Sequence, residues 1–247
     1  MSRKFGQHFL KRQSVLERIA VAVCAEHAPL VVEIGPGKGA LTAHLLDRAD
    51  RVVAVEIDPI LVQYLRTKFR GNGRLEVLEG DILKVDPGQW GLAVVAGNLP
   101  YYITSPIIGK VLGLREGLVR AVFLVQKEVA ERLTASPGSR DYGYLTVSTH
   151  FFAEVECLFA VPPAAFHPAP KVDSAVVRLT PRRDLPAADP AAFLRFVSLA
   201  FQHKRKTLRN NLVEQYGRAV LDALPEGKLR AEQMSLEALL ELYRRLH

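Results

Sequence analysis

Two cysteines in 247 residues, Cys24 and Cys157, stand far apart in the chain, which excludes a disulfide framework and a cysteine metal site and leaves two inert thiols. No metal is expected. No apolar segment of signal length follows Met1, and no later run approaches the length of a membrane span, so the chain reads as a cytoplasmic protein. It has no internal repeat, and no low-complexity tract beyond a short Ala/Pro-rich linker from Pro181 to Pro190. Acids are in deficit: 33 Lys and Arg face 26 Asp and Glu, a formal charge of +7. That balance favours an anionic partner such as nucleic acid over a purely acidic small substrate. The length suffices for one large domain and a small one.

What is present begins with a strand, a glycine turn and a helix: Leu30 to Ile34, then Gly35-Pro36-Gly37-Lys38-Gly39, then Ala40 to Leu46. Such a unit places backbone N–H groups and a positive dipole end beside a nucleotide-like ligand, with no Cβ blocking close approach. A second strand, Arg51 to Val55, ends at Glu56, where a ribose hydroxyl pair would be bound. A third, Leu75 to Leu78, leads to Asp81, placed to receive an adenine amino group. These signals are shared by nicotinamide and S-adenosylmethionine enzymes. The spacing Gly-x-Gly-x-Gly-Ala departs from the dinucleotide pattern and only tilts the balance.

The apolar run Leu92 to Gly97 reads as a buried parallel strand, and Asn98-Leu99-Pro100-Tyr101 follows it directly, at a carboxyl end of the sheet, where open α/β folds bind ligands. Pro100 biases Leu99 toward an extended conformation and lacks an N–H, which leaves the Leu99 carbonyl free as an acceptor. The Asn98 side-chain oxygen is a second acceptor, and Tyr101 supplies an aromatic face. Two acceptors and a ring suit an exocyclic adenine-type amine. Further strands are expected at Ala121 to Val125, Glu154 to Val161 and Ser174 to Thr180, with helices at Gln126 to Ala135 and Gly143 to Phe152. Four prolines between Pro162 and Pro170 predict a stiff loop that presents Phe166 as a second ring beside Tyr101.

Beyond the linker, Ala191 to Phe201, Lys204 to Gln215 and Ser235 to Leu246 show helical periodicity. The string from His203 to Asn211 puts positive charge at a helix start, against the macrodipole preference, and so suggests a phosphate partner. The N-terminal segment from Arg3 to Arg12 is likewise basic, with apolar anchors enclosed.

Together Phe5-Gly6-Gln7-His8-Phe9-Leu10, Glu33 to Gly39, Glu56-Ile57-Asp58, Gly80-Asp81, Asn98 to Tyr101, Phe166 to Ser174 and Lys204 to Leu212 resemble the ribosomal RNA adenine dimethyltransferase family, in particular its small-subunit 16S type linked to kasugamycin sensitivity. The resemblance implies an α/β fold: a Rossmann-like S-adenosylmethionine-dependent methyltransferase sheet of seven strands with an antiparallel last strand, in residues 1–181. It also implies a small all-α C-terminal domain for RNA recognition, residues 182–247. The implied reaction transfers two methyls from S-adenosylmethionine to N6 of each of two adjacent adenosines in the 3′-terminal hairpin of 16S rRNA, within the small subunit or its precursor. The enzyme would be a monomer without membrane association, with a part in ribosome biogenesis.

By motif, Gln7, His8, Leu10, Glu33, Gly35, Gly37, Glu56, Asp81 and Asn98 would contact the cofactor. Asn98, Leu99, Pro100, Tyr101 and Phe166 would form the catalytic base pocket, and Lys171, Lys204, Arg205, Lys206 and Arg209 would bind RNA. The family usually has Asn where this chain has His8, and an acid where it has Lys11; a histidine N–H still offers a donor to the methionine carboxylate. Alternatives are the related large-subunit (23S) rRNA dimethylase that gives antibiotic resistance, and a non-catalytic RNA-binding assembly factor.

Overall fold

The computed structural model describes residues 8–187 and 189–247. Its strands and helices, in chain order, are β1 (Phe9–Leu10), α1 (Gln13–Val23), β2 (Ala28–Ile34), α2 (Ala40–Leu46), β3 (Ala49–Glu56), α3 (Pro59–Lys68), β4 (Leu75–Glu79), β5 (Ala93–Asn98), α4 (Thr104–Leu112), β6 (Leu118–Gln126), α5 (Lys127–Leu133), α6 (Tyr144–Phe152), β7 (Ala153–Val161), β8 (Phe166–His167), β9 (Ser174–Pro181), α7 (Pro190–Ala200), α8 (Leu208–Tyr216), α9 (Arg218–Asp222) and α10 (Leu236–Leu246).

Seven strands form one sheet in the order β4-β3-β2-β5-β6-β9-β7. Pairs β3/β4, β2/β3, β2/β5 and β5/β6 are parallel. β9 runs antiparallel to β6. Strands with both faces covered need unbroken apolar runs, and Val31-Val32, Val52 to Val55 and Val94 to Ala96 supply them, all buried. The strand order reverses between β2 and β5, so the carboxyl ends of these two strands bound a crevice, the usual ligand position in such sheets. α1 turns Val15, Leu16, Ile19, Ala20 and Val23 inward at helical spacing. Asp58 caps α3 by accepting the Ile60 N–H, with Pro59 at the first helical position, where its missing N–H costs nothing.

The chain divides into two compact units, one of residues up to Ala130 with Val155–Pro181, the other Glu131–Glu154 with Arg182–His247. The boundary at Pro181 falls where the linker was expected, but 131–154 joins the helical unit, which changes the expected split into 1–181 and 182–247. Aromatic packing explains it: Phe151 of α6 stacks on Phe193 of α7 with centroids 5.0 Å apart, and both rings are fully buried. α8 starts at Leu208 with Thr207 as its cap, not at Lys204. Lys204, Arg205 and Lys206 therefore precede the helix, and only Arg209 stands in its first turn. No described helix is long and apolar enough to cross a membrane.

Candidate functional site

A cavity of about 540 Å³ opens at the crevice between β2 and β5, a volume suited to a ligand of nucleoside size or larger. His8, Leu10, Glu33, Gly35, Gly37, Glu56, Asp81, Asn98, Leu99, Pro100 and Tyr101 all line it. Gln7 lies outside the described residues.

The glycine turn forms one wall. Gly35, Gly37 and Gly39 all have positive φ, at 66°, 58° and 69°, a region side chains rarely enter. A Cβ on Gly39 would also stand 2.6 Å from the Phe69 ring, so the turn is fixed both by conformation and by packing. The Lys68 ammonium holds it from behind, donating to the carbonyls of Lys38 at 2.8 Å and Gly39 at 3.1 Å. α2, which the turn feeds, has only seven residues.

Two carboxylates meet at this wall. Glu56 ends β3 at 3% exposure; its Oε2 accepts the Gly37 N–H, and its Oε1 accepts those of Ile57 and Asp58, each at 3.0 Å. Burial raises its pKa, and the three N–H groups pull it back. Glu33, at 2% exposure, accepts a 2.6 Å bond from the Thr42 hydroxyl. Burial pushes its carboxyl up to about 7, with Thr42 and Lys68 opposing and Glu56 adding to the rise. Asp81 follows β4 and uses Oδ1 to accept the Leu83 N–H at 2.9 Å. It is thus a turn cap and a cavity residue at once.

Asn98 ends β5 opposite the turn. Its Nδ2 donates to the His8 carbonyl at 2.9 Å. A carbonyl only accepts, so the NH2 of the carboxamide must face His8 and the oxygen is left over. Leu99 donates its N–H to the Leu124 carbonyl, and none of the hydrogen bonds among the described residues engages the Leu99 carbonyl or Asn98 Oδ1. Pro100 instead gives its carbonyl to Ile103 N–H and the Thr104 hydroxyl, which turns the chain and brings Tyr101 to the cavity. The Tyr101 hydroxyl lies 3.2 Å from Ser174 Oγ.

Phe166 requires a correction. It is 2% exposed and packs in the core among residues such as Leu10, Leu16 and Val176, so it does not face the cavity with Tyr101. Phe166-His167 pairs antiparallel with Phe9-Leu10, and alternation along a strand sends neighbouring side chains to opposite faces. The inward position falls to Phe166 and the cavity position to His167, which lines it. The expected stiff loop is instead a short strand. His8 lines the cavity with its ring stacked on Tyr101, centroids 5.8 Å apart and planes at 24°, and its Nδ1 2.8 Å from the Pro168 carbonyl.

His167, Lys68, Tyr64 and Tyr102 line the cavity too; His167 falls within the Phe166 to Ser174 motif without having been singled out, and the other three carry no motif signal. In the helical unit, Lys204, Arg205 and Lys206 are exposed, as is Lys171 in the sheet unit. Lys204 donates to the Arg140 carbonyl, and Arg209 pairs with Asp222 at 2.9 Å. Asn211 is structural: it donates to the carbonyls of Ala200 at 2.7 Å and His203 at 3.2 Å, tying down the turn that carries the basic residues.

The set fits a cationic nucleoside cofactor: acids at the ends of β3 and β4, a glycine turn without side chains, and a buried carboxylate beside it. Comparison with known proteins agrees. The ribosomal RNA adenine dimethylase family matches residues 1–246. The ribosomal RNA small subunit methyltransferase A of Acidobacterium capsulatum is 43% identical, over 98% of this chain and 90% of that one. Its namesake from Thermosynechococcus vestitus is also 43% identical, over 99% and 97%. Among solved structures, a dimethyladenosine transferase from Plasmodium falciparum superposes with a TM-score of 0.81 at 26% identity, covering 97% of this chain and 98% of that one. The 23S rRNA methyltransferase ErmE gives 0.72 at 31%, covering 94% and 98%.

Proposed function

This chain belongs to the ribosomal RNA adenine dimethylase family, and we propose that it methylates N6 of two adjacent adenosines in the 3′-terminal hairpin of 16S rRNA, in the small subunit or its precursor. It is an S-adenosylmethionine-dependent rRNA adenine dimethyltransferase. The small-subunit substrate is supported by curated relatives that are named for it at about 40% identity along nearly the full chain.

The cofactor supplies a methyl on a cationic sulfur, already activated for displacement. Glu56 would hold the ribose hydroxyls, Asp81 the adenine amine, and Gly35, Gly37 and Leu10 the close wall. Glu33, whose carboxyl burial pushes up to about 7 in the free protein, would be drawn toward its charged form by a cation seated beside it.

Asn98 carries the proposal. With its NH2 held by His8, Asn98 Oδ1 and the Leu99 carbonyl form two acceptors for the two N6 hydrogens of an adenine stacked on Tyr101. Both hydrogens engaged, the nitrogen lone pair points away from the acceptors and toward the cofactor side. As the N–C bond forms, positive charge grows on N6, and two fixed oxygen dipoles stabilise it there. The spare proton would pass from the alkylated amine to water, without a tuned base. In the second round one hydrogen remains for one acceptor, and the first methyl takes the place of the other hydrogen.

The test uses small and large subunits from cells lacking these methyl groups, incubated with the protein and labelled S-adenosylmethionine, with products mapped by mass. Label on two adjacent adenosines of the 3′ hairpin is expected. Label only in large subunits would move the substrate to 23S rRNA, and none in either would remove the activity.

A further inference from the structure

The glycine turn is tied to α3 by a charged side chain that no motif announces. Lys68 is the last residue of that helix, and its ammonium donates to the carbonyls of Lys38 and Gly39 at 2.8 and 3.1 Å. Leu65 and Phe69 press on the same point, since a Cβ on Gly39 would meet their side chains at 2.7 and 2.6 Å. Packing and hydrogen bonds already fix the turn, and a neutral donor would serve two carbonyls as well as an ammonium does. The charge has a purpose in Glu33, buried in the same wall. Its partners across the sheet, Ala54 of β3 and Ala96 of β5, bring no charge. α2 offers the Thr42 hydroxyl, the end of β3 offers Glu56, which opposes a second negative charge, and α3 offers Lys68, which favours one. We propose that Lys68 is a positioning residue for the methyl donor: it fixes the glycine turn through two carbonyls and supplies the positive charge that faces Glu33. This rests on the reading of the cavity as an S-adenosylmethionine site.

The two effects of Lys68 separate by pH. Burial holds the Glu33 carboxyl up at about 7 in the free protein, so below that pH it carries a proton that a cationic ligand must displace. The Lys68 charge works against that proton. Glu33 in turn helps the ammonium keep its own, which burial disfavours. Above the Glu33 titration the carboxylate is charged with or without ligand, and only the hold on the turn bears on affinity. Below it, both do. Lys68 is exposed, so solvent screens its charge and the second effect is the smaller.

Full-length wild type, Lys68→Met, Lys68→Arg, Glu33→Gln and the Glu33→Gln/Lys68→Met double variant decide it, after unfolding midpoints confirm that all five fold. Calorimetry gives the S-adenosylmethionine Kd from about pH 6 to about pH 8.5, and the ratio of variant to parent Kd is read at each pH, where titration of the cofactor itself cancels. Lys68→Met should weaken binding about tenfold at the upper end, the size of one charge-assisted hydrogen bond. The ratio should then rise about threefold toward the lower end, as expected of a screened charge pair. Lys68→Arg, which keeps donors and charge, should stay within about threefold of wild type throughout. In the Glu33→Gln background the Lys68→Met ratio should be flat with pH. Unchanged or tighter binding by Lys68→Met would overturn the proposal. So would a loss that arginine does not recover, a flat ratio in the wild-type background, which a purely structural brace gives, or a slope that survives Glu33→Gln. Failure of wild type to bind S-adenosylmethionine at any pH would instead overturn the reading of the cavity, so the two failures stay distinct.

Discussion

The two halves of the cavity differ in how many of their polar groups already have protein partners. On the glycine-turn side Glu56 accepts three N–H groups, Glu33 a hydroxyl and Asp81 an N–H. Lys68 braces two carbonyls. On the Asn98 side Asn98 Oδ1 and the Leu99 carbonyl, on two residues that line the cavity, take no hydrogen bond among the described residues. A braced half suits a cofactor that is bound in the same pose every time. Open acceptors suit an amine that loses a hydrogen with each methyl it gains, because an acceptor fixed to a protein donor could not follow that change.

Phe166 gives the largest test, since it decides where the second half ends. As a core residue, Phe166→Ala should lower unfolding free energy by about 3–5 kcal/mol, measured in urea. Phe166→Leu, which keeps most of the volume, should retain transfer. A stable Phe166→Ala protein with abolished turnover would put the ring in the base slot and redraw the boundary between core and cavity.

Asn98→Ala removes one of the two open acceptors. Fixed dipoles aimed at developing charge are worth about 100- to 1000-fold in turnover, and kcat should fall by that order with RNA affinity and the unfolding midpoint unchanged. If cofactor Kd weakens in step with kcat, Asn98 belongs to the braced half and the comparison fails at its central residue.

Glu33 tests the braced half through pH. Its carboxyl titrates at about 7 in the folded chain against 4.5 as its ordinary value. Between those values the folded protein holds a proton that the unfolded chain has released, so this group makes stability fall as pH rises from about 4.5 to about 7. The full effect is on the order of 3 kcal/mol at a site so buried. Glu33→Gln removes it, and the difference in melting temperature, variant minus wild type, should become more positive between pH 5 and pH 8. A difference that does not move with pH would mean that Glu33 is ionised in the free protein and the turn is less closed than its hydrogen bonds indicate.

The same contrast explains what the sequence disclosed. Glu33, Gly35, Gly37, Glu56 and Asp81 were legible because each is placed by its own strand and the turn after it, a matter of local chain geometry. Asn98 to Tyr101 were legible for the same reason. The remaining wall is assembled from segments near residues 8, 101 and 167, distant in sequence. Which side chain of Phe166-His167 turns inward is set by its pairing with Phe9-Leu10, a register no single stretch encodes. Proline content favoured an extended loop, and the strand that formed buried the phenylalanine. The 131–154 segment was misplaced likewise, through Phe151–Phe193 stacking across 42 residues of chain.

The basic string extends the distinction between engaged and open groups into the helical unit, with the smallest expected effect. Lys204 donates to the Arg140 carbonyl and Arg209 pairs with Asp222, so two of its four cations already have partners. Arg205 and Lys206 are exposed and precede α8, which makes them the better phosphate ligands. Removing one phosphate-binding cation should reduce the slope of log K against log salt by about 0.7–0.9. Arg205→Ala with Lys206→Ala should therefore flatten the salt dependence of RNA binding by about 1.4–1.8. Lys204→Ala with Arg209→Ala should flatten it by less, because their charges are already partly compensated by Glu232, 4.0 Å from Lys204, and by Asp222. Equal flattening from both pairs would show that these ion pairs open on binding, and that partners within the protein do not decide which cations meet RNA.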